Sequence, residues 1–300
     1  MSDPSTLPCY LNGDYTPIGE AKISVLDRGF IFGDGVYEVI PVYAGHPFRL
    51  VEHLARLDRS LAEMRIANPR TPDEWRTIAM RLVAMHAEAN GVTPQGANYM
   101  VYIQVTRGVA PRDHVMPKNI TPTVFMMVNP MSLPSDALRK SGVACVTADD
   151  FRWEKAHIKS TSLLGSVFAR QISFDSGATE TVMFRGDSLS EGASSNVWVV
   201  RGNTVYGPPK DNLVLQGIRF GLIEELCREQ GLGFELRKIS RQEVLAADEL
   251  LLSSASKEVL PITRLDGKPV GNGAPGPIYE KLYAAYQQAK NRSATAALAA

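Results

Sequence analysis

Lys159 stands in HIKSTSLLGSVFARQ, residues 157–171, between a short polar run and an apolar pattern of helical spacing. A cation at a helix start opposes the macrodipole, which favours anions at that end, so the local sequence gives this lysine no stabilising reason. It is either a solvated charge, the ordinary state of lysine, or an amine that acts as a nucleophile. Four other clusters carry chemistry. SEGASSN, residues 190–196, holds one acid, Glu191, among small residues between strand signals, as a hairpin turn or an acid site. LQGIRF, residues 215–220, opens a helix through Gly217, and backbone N–H groups at a helix start can bind phosphate. SSASKE, residues 253–258, is a small-residue turn after a buried strand, of the kind that lets backbone approach a ligand. VTRGVAPRDH, residues 105–114, sets Arg107, Arg112 and His114 beside a strand end, as a solvated loop or a trap for a carboxylate.

Together these are the parts that pyridoxal 5'-phosphate chemistry requires. The amine joins the cofactor aldehyde, the acid keeps the pyridine nitrogen protonated so that the ring takes up electrons, and backbone donors with a cation fix the phosphate.

The elements that must position these groups follow from periodicity. VYEVIPVYAGHPF gives two short strands around a turn at Ala44-Gly45, with Pro41 better suited to an edge than to a central ladder. VEHLARLDRSLAEMRI repeats apolar residues at Leu54, Leu57, Leu61 and Met64, a helical period. PDEWRTIAMRLVAMHAEANG follows as a second helix with Trp75, Ile78, Leu82 and Met85 on one face and Asn90-Gly91 as its stop. NYMVYIQVTRG and TPTVFMMVNP are strand-like. After the turn-rich NPMSLPSD come a strand, the Lys159 helix, and a meander from TVMF through NVWVV to TVYG. GIRFGLIEELCREQG is a helix with Ile218, Leu222, Ile223 and Leu226 on one face, and EVLAADELLLSSASKEVLPITRLDG gives a helix, a buried strand and a polar turn. The expected division is a small domain over 1–131, a linker over 132–136, a large cofactor-binding domain over 137–287, and a frayed or disordered tail over 288–300.

Composition removes several classes of function. The 300 residues suffice for two domains, and 32 Lys and Arg balance 32 Asp and Glu, so no basic field holds nucleic acid or an anionic membrane. Cys9, Cys145 and Cys227 are odd in number and lack C-x-x-C spacing, which argues against disulfides and a zinc site and fits a reducing cytoplasm. The beginning MSDPSTLPCY has no leader pattern, and no apolar run approaches the roughly 18 residues that a membrane span needs. No metal site is expected.

The order RGFIFGDGVYEV, FRLVEHLARL, VTRG, HIKSTSLLG, SEGASSNV, LQGI, SSASKEVLPITRLDG resembles, over nearly the whole chain, the successive signatures of the class IV, or branched-chain-type, pyridoxal phosphate aminotransferases. The resemblance implies an α+β, two-domain fold type IV enzyme, with a smaller N-terminal α/β domain and a larger C-terminal domain with a β-barrel-like core. It implies that Lys159 is the lysine joined to the cofactor, Glu191 the partner of the pyridine nitrogen, and Arg56 a phosphate ligand. Leu215 would pack against the ring, and the backbone at Ile218, Arg219 and Ala255 would complete the phosphate cup. Two positions depart from the family: Arg219 replaces a common Thr, and Ala255 stands where a hydroxyl is common. Side-chain bonds from those residues are then lost, or the Arg219 guanidinium supplies charge to the phosphate instead.

RGVAPRDH is similar to the R-G-x-x-P-R-x-H pattern of the family's D-amino-acid transaminases, in which Arg and His from the second subunit of a homodimer hold the substrate carboxylate with a Tyr. Here these are Arg112, His114 and Tyr37. The implied reaction is transamination between a D-amino acid such as D-alanine and a 2-oxo acid, 2-oxoglutarate or pyruvate, with Lys159 as anchor and proton carrier. The alternatives are a branched-chain L-amino acid or (R)-amine transaminase, an aminodeoxychorismate lyase on the same cofactor, and a non-enzymatic cofactor-binding protein.

Overall fold

The computed structural model describes residues 3–298, with side chains from 3 to 293. The chain separates into two compact units: Met1–Ser132 with Ile158–Leu163, and Leu133–His157 with Leu164–Arg292.

The first unit contains β1 (Pro8–Leu11), β2 (Asp14–Pro17), α1 (Arg28–Phe32), β3 (Gly35–Tyr43), β4 (His46–Pro47), α2 (Leu50–Glu63), α3 (Pro72–Ala89), β5 (Tyr99–Thr106) and β6 (Thr123–Pro130). Its strands form one antiparallel six-stranded sheet in the order β2-β1-β6-β5-β3-β4. Alternation along β5 turns Tyr99, Val101, Ile103 and Val105 inward, where Leu54, Leu57 and Leu61 of α2 and Trp75, Ile78 and Leu82 of α3 join them in one core. α3 starts where Thr71 and Glu74 cap each other's backbone N–H groups, and it stops before Gly91, whose φ of +65° favours glycine. Pro41 sits in β3 with its carbonyl accepting from Phe48 N on the β4 side. Its missing N–H therefore faces the short β4 edge and interrupts no bond to β5.

The second unit contains α4 (Asp136–Ser141), β7 (Val143–Asp149), α5 (Leu164–Asp175), β8 (Glu180–Arg185), β9 (Ser188–Gly192), β10 (Asn196–Arg201), β11 (Thr204–Gly207), α6 (Ile218–Glu229), β12 (Gly233–Leu236), α7 (Arg241–Leu245), β13 (Glu249–Ser254), β14 (Glu258–Leu265), β15 (Lys268–Pro269) and α8 (Pro277–Leu298). The nine strands make a mixed sheet, parallel at β7/β8, β7/β14 and β11/β12, that curls into a half-barrel.

Several details differ from the sequence expectations. Lys159 is not in a helix start: α5 begins only at Leu164, and the stretch from Ile158 to Leu163 belongs to the first unit, where Ser160 bridges Val36 of β3. The macrodipole argument therefore does not apply to it. VLPITRL, to which the sequence reading gives no element of its own, is most of β14, whose Pro261 lies one residue before the pairing with β7 begins at Ile262. The buried face of α3 includes His86, while Met85 is only partly buried. The tail expected over 288–300 continues α8 as far as Leu298, and residues 299–300 lie outside the described residues.

His86 generates a testable consequence. It is 1% exposed, its ring meets Tyr99 edge-on at 5.6 Å, and among the described residues neither ring nitrogen has a hydrogen-bond partner. Burial lowers its pKa from the ordinary 6.5. The folded chain then binds the proton less readily than the unfolded chain, so the stability tied to a neutral His86 is present above pH 6.5 and is lost as pH falls. His86→Phe should remove up to about 1.4 kcal/mol per pH unit from the acid-side decline in stability. Urea midpoints of parent and variant at pH 7.5 and pH 5.5 measure it, and equal declines would rule His86 out as the source.

Candidate active site

In the first unit Lys159 is fixed by its backbone. Its carbonyl accepts from Tyr37 N at 2.9 Å and its N–H donates to Ser60 Oγ at 3.3 Å, while Thr161 N donates to Gly35 O at 2.9 Å. Gly33, at φ +65°, is in the left-handed conformation that favours glycine, and a Cβ there would crowd Ser162. The half-buried Lys159 side chain runs over Tyr37, with Nζ 4.0 Å from the ring centroid. The structure thus brings Lys159 and Tyr37 together.

Arg56 projects from α2 onto Glu38 of β3, which is 0% exposed. Nε donates to Oε1 at 2.6 Å and Nη2 to Oε2 at 2.8 Å, and His53 Nδ1 lies 2.7 Å from Oε2. Burial pushes the Glu38 carboxyl up, but the charge and hydrogen bonds of Arg56, with those of His53, outweigh it and hold the group well below the usual carboxylate range. The Arg56 guanidinium is therefore oriented by a buried acid next in sequence to Tyr37.

The cationic cluster after β5 divides. Arg107 is buried, and its Nε and Nη2 bind Asp34 at 2.8 and 3.0 Å while Nη2 also donates to Met64 O at 2.7 Å. It is a structural strut. Arg112 and His114 are exposed and flank Phe32 of α1, the guanidinium carbon and the imidazole centroid each 5.5 Å from its ring. Between them the Asp113 carbonyl accepts from Arg28 Nη1 at 2.5 Å, which ties the loop to α1.

In the second unit Glu191 lies near the end of β9 at 4% exposure. Arg152 Nη1 donates to its Oε1 at 2.8 Å, Leu215 N to the same oxygen at 3.2 Å, and Asn196 Nδ2 to Oε2 at 3.1 Å. Arg152 is itself braced by Asp150, through Nε at 2.9 Å and Nη2 at 2.8 Å. Burial raises the Glu191 pKa, and the Arg152 charge opposes the rise without cancelling it. Asn196 also donates to Leu215 O at 3.0 Å. Its Oδ1 lies so near Gly217 that a Cβ there would stand 2.0 Å away, so only glycine fits at the start of α6.

The loops expected to hold phosphate are both in this unit. Gly217, the N-cap of α6, has no side-chain cap hydrogen bond, and Ile218 and Arg219 are the first residues of the helix. The Arg219 side chain is buried, and Nη2 donates to Tyr286 Oη at 3.0 Å. Half-buried Ala255 begins the turn between β13 and β14. In that turn Lys257 Nζ donates to Ser194 Oγ, Ser195 Oγ and Glu180 Oε2 at 3.0, 2.9 and 3.0 Å, which fastens it to the loop following Glu191.

Sequence reasoning passes over Glu38, His53, Arg152, Asn196 and Lys257. A charged residue at an inward strand position, Glu38 beside Tyr37, is the available signal for the first pair; Arg152 carries none.

The model of amino-transferase class IV matches residues 35–265. The chain belongs to the class IV aminotransferases. It is 38% identical to a D-alanine aminotransferase of Bacillus licheniformis over 276 residues, 92% of this chain and 94% of that one. It is 35% identical to the D-alanine aminotransferase of Staphylococcus haemolyticus over 274 residues, 91% and 94% of the two chains. Among solved structures, a T.th. branched-chain amino acid aminotransferase, complexed with N-(5'-phosphopyridoxyl)-L-glutamate, superposes with a TM-score of 0.83 at 23% identity over 95% of this chain and 94% of that one. The branched-chain aminotransferase of Thermoproteus uzoniensis with norvaline gives 0.82 at 24% identity over 94% of each. The fold is type IV.

The cofactor of this aminotransferase is pyridoxal 5'-phosphate. Taken by itself, the first unit offers that group a lysine amine on a fixed backbone, and the second a buried acid whose oxygens are oriented by three donors.

The Arg56 and Glu38 pair predicts a stability pattern. Arg56→Met leaves a buried carboxylate short of its main cation and should lower unfolding free energy by about 3–5 kcal/mol. Arg56→Met with Glu38→Leu should recover most of that loss. Denaturant unfolding of the three proteins reads the difference, and a double variant as unstable as the single one would show that the uncompensated charge is not the cause.

Proposed function

We propose that this aminotransferase transfers the amino group between a D-amino acid, such as D-alanine, and a 2-oxo acid, such as 2-oxoglutarate or pyruvate. The observation that carries the reading is the 38% identity with a D-alanine aminotransferase over 92% of the chain, and the P-R-x-H segment ending at His114 supports it. Pyridoxal phosphate, when bound, supplies an aldehyde for the amine and a ring that draws electrons from the substrate's α-carbon. Lys159 Nζ anchors the cofactor and moves the α-proton. Glu191 holds the proton on the ring nitrogen, and Leu215 packs on the ring. Arg56, oriented by Glu38, binds the phosphate together with the backbone at Ile218, Arg219 and Ala255. Tyr37 binds the substrate carboxylate with Arg112 and His114 of a second subunit. The choice of D over L then depends on which way that carboxylate turns the substrate's Cα–H bond relative to Lys159.

A homodimer fits the exposed apolar stripe of α5, in which Leu164, Val167, Phe168 and Ile172 recur at helical spacing. No helix among the described residues is long and apolar enough to cross a membrane. With equal acidic and basic counts of 32, the chain offers nucleic acid no field. Its site of action in this reading is the cytoplasm, where three buried free thiols persist.

Two experiments test these roles. Borohydride reduction and peptide mapping should place the phosphopyridoxyl group on Lys159, and label on Lys155 would overturn the assignment. Arg112→Ala should slow the half-reaction with D-alanine by about one to two orders of magnitude, because a charge-assisted hydrogen bond is lost. (R)-1-phenylethylamine, which has no carboxylate, should react as with the parent. The visible absorbance of the cofactor follows both. A parent enzyme that prefers L-leucine to D-alanine would instead support the branched-chain reading.

A further inference from the structure

The C-terminal helix α8 is tied to both loops that the proposed function assigns to the phosphate. Tyr286, 0% exposed, presents its hydroxyl to Arg219 Nη2 at 3.0 Å, and Arg219 is the second residue of α6 at 2% exposure. From the same helix, the adjacent Gln287 and, a turn further on, Lys290 donate through Nε2 and Nζ to the Glu258 carboxylate at 3.1 and 2.7 Å, and Arg139 Nη2 of α4 adds a bond at 2.7 Å. Glu258 immediately follows the turn begun by Ala255 and has a φ of +57°, a left-handed conformation that a side-chain-bearing residue keeps only when its surroundings impose it.

Each tie constrains a backbone. A cation in the first turn of α6 is disfavoured by the helix dipole, and its long stem has many rotamers. The buried Tyr286 hydroxyl selects one of them. At the other loop, three donors from α4 and α8 hold Glu258, and with it the end of the 255–257 turn. Phosphate bound by backbone N–H groups depends on their placement to a fraction of an ångström. We propose that α8 positions the phosphate end of the site, with Tyr286 acting through Arg219 and Lys290 acting with Gln287 through Glu258. This rests on the assignment of the phosphate to residues 218–219 and 255.

The test uses the full-length chain freed of cofactor and titrated with pyridoxal 5'-phosphate and with pyridoxal, which lacks the phosphate. Tyr286→Phe should weaken pyridoxal phosphate binding about tenfold and leave pyridoxal binding unchanged. Lys290→Met, at the more accessible tie, should act in the same direction, and it carries the test if Tyr286→Phe does not fold. Variants that bind pyridoxal phosphate like the parent, or that lose both ligands equally, would overturn the role of α8. Ala255→Asp separates the two levels: a carboxylate beside the phosphate should depress pyridoxal phosphate selectively. If it does so while Tyr286→Phe and Lys290→Met are silent, α8 alone is excluded; if it does not, the phosphate assignment itself fails.

Discussion

A carboxylate that is 4% exposed stays charged only if its neighbours replace the water it has lost, and in Glu191 much of the second unit is arranged to do so. Arg152 brings a full positive charge, the Leu215 amide and the Asn196 side chain bring dipoles, and Asp150 braces the arginine from behind. The balance is incomplete, because burial still raises the Glu191 pKa. An acid that is desolvated yet oriented interacts strongly with any cation brought against it, since the low local dielectric strengthens what the lost hydration weakened. A protonated ring nitrogen is such a cation in the proposed function.

The same arrangement recurs elsewhere in the chain. Glu38 takes Arg56 and His53, Asp34 takes Arg28 and Arg107, Glu180 takes Lys257, and Glu258 takes Arg139 and Lys290. Buried ion pairs contribute little net stability compared with apolar packing, but removal of one partner is severe. Their value here is geometric. Apart from Arg28 with Asp34, which are near neighbours in sequence, the pairs join distant segments, such as β3 with α2 or β14 with α4 and α8, and fix the loop or side chain beside them.

What the sequence discloses follows from the range of each interaction. Lys159 and Glu191 are legible because each stands alone among small or apolar residues, and the strands and helices because alternation and helical spacing are local. Arg152 is not, because its bond to Glu191 spans 39 positions and nothing near RWEK marks it. Arg107 groups with Arg112 and His114 because all three share one segment; only folding reveals that one of them turns inward to Asp34. The helical pattern around Lys159 reads one turn too early, since the burial of Ile158 in the first unit cannot be told from a helix face by spacing alone. His86 in the buried face of α3 is a polar residue that the sequence reading leaves out of that face and that packing puts against Tyr99.

The proposed roles ask opposite things of Lys159 and Glu191, and the local structures differ accordingly. An acid that holds one proton on one ring atom needs no freedom, and Glu191 has both oxygens engaged and its strand neighbours buried on either side. An amine that anchors a cofactor and then carries a proton has to travel while its point of attachment stays still. Lys159 sits outside any helix in a segment bridged to β3, with main-chain bonds to Tyr37 and Ser60 that hold its Cα. Its Nζ lies over the Tyr37 ring, a face that attracts the ammonium by a weak, weakly directional force of about 0.5–2 kcal/mol. Such a contact guides the amine without trapping it as a buried carboxylate would. An aspartate or glutamate beside Nζ would stabilise the folded chain more and would slow the very movement that the chemistry requires.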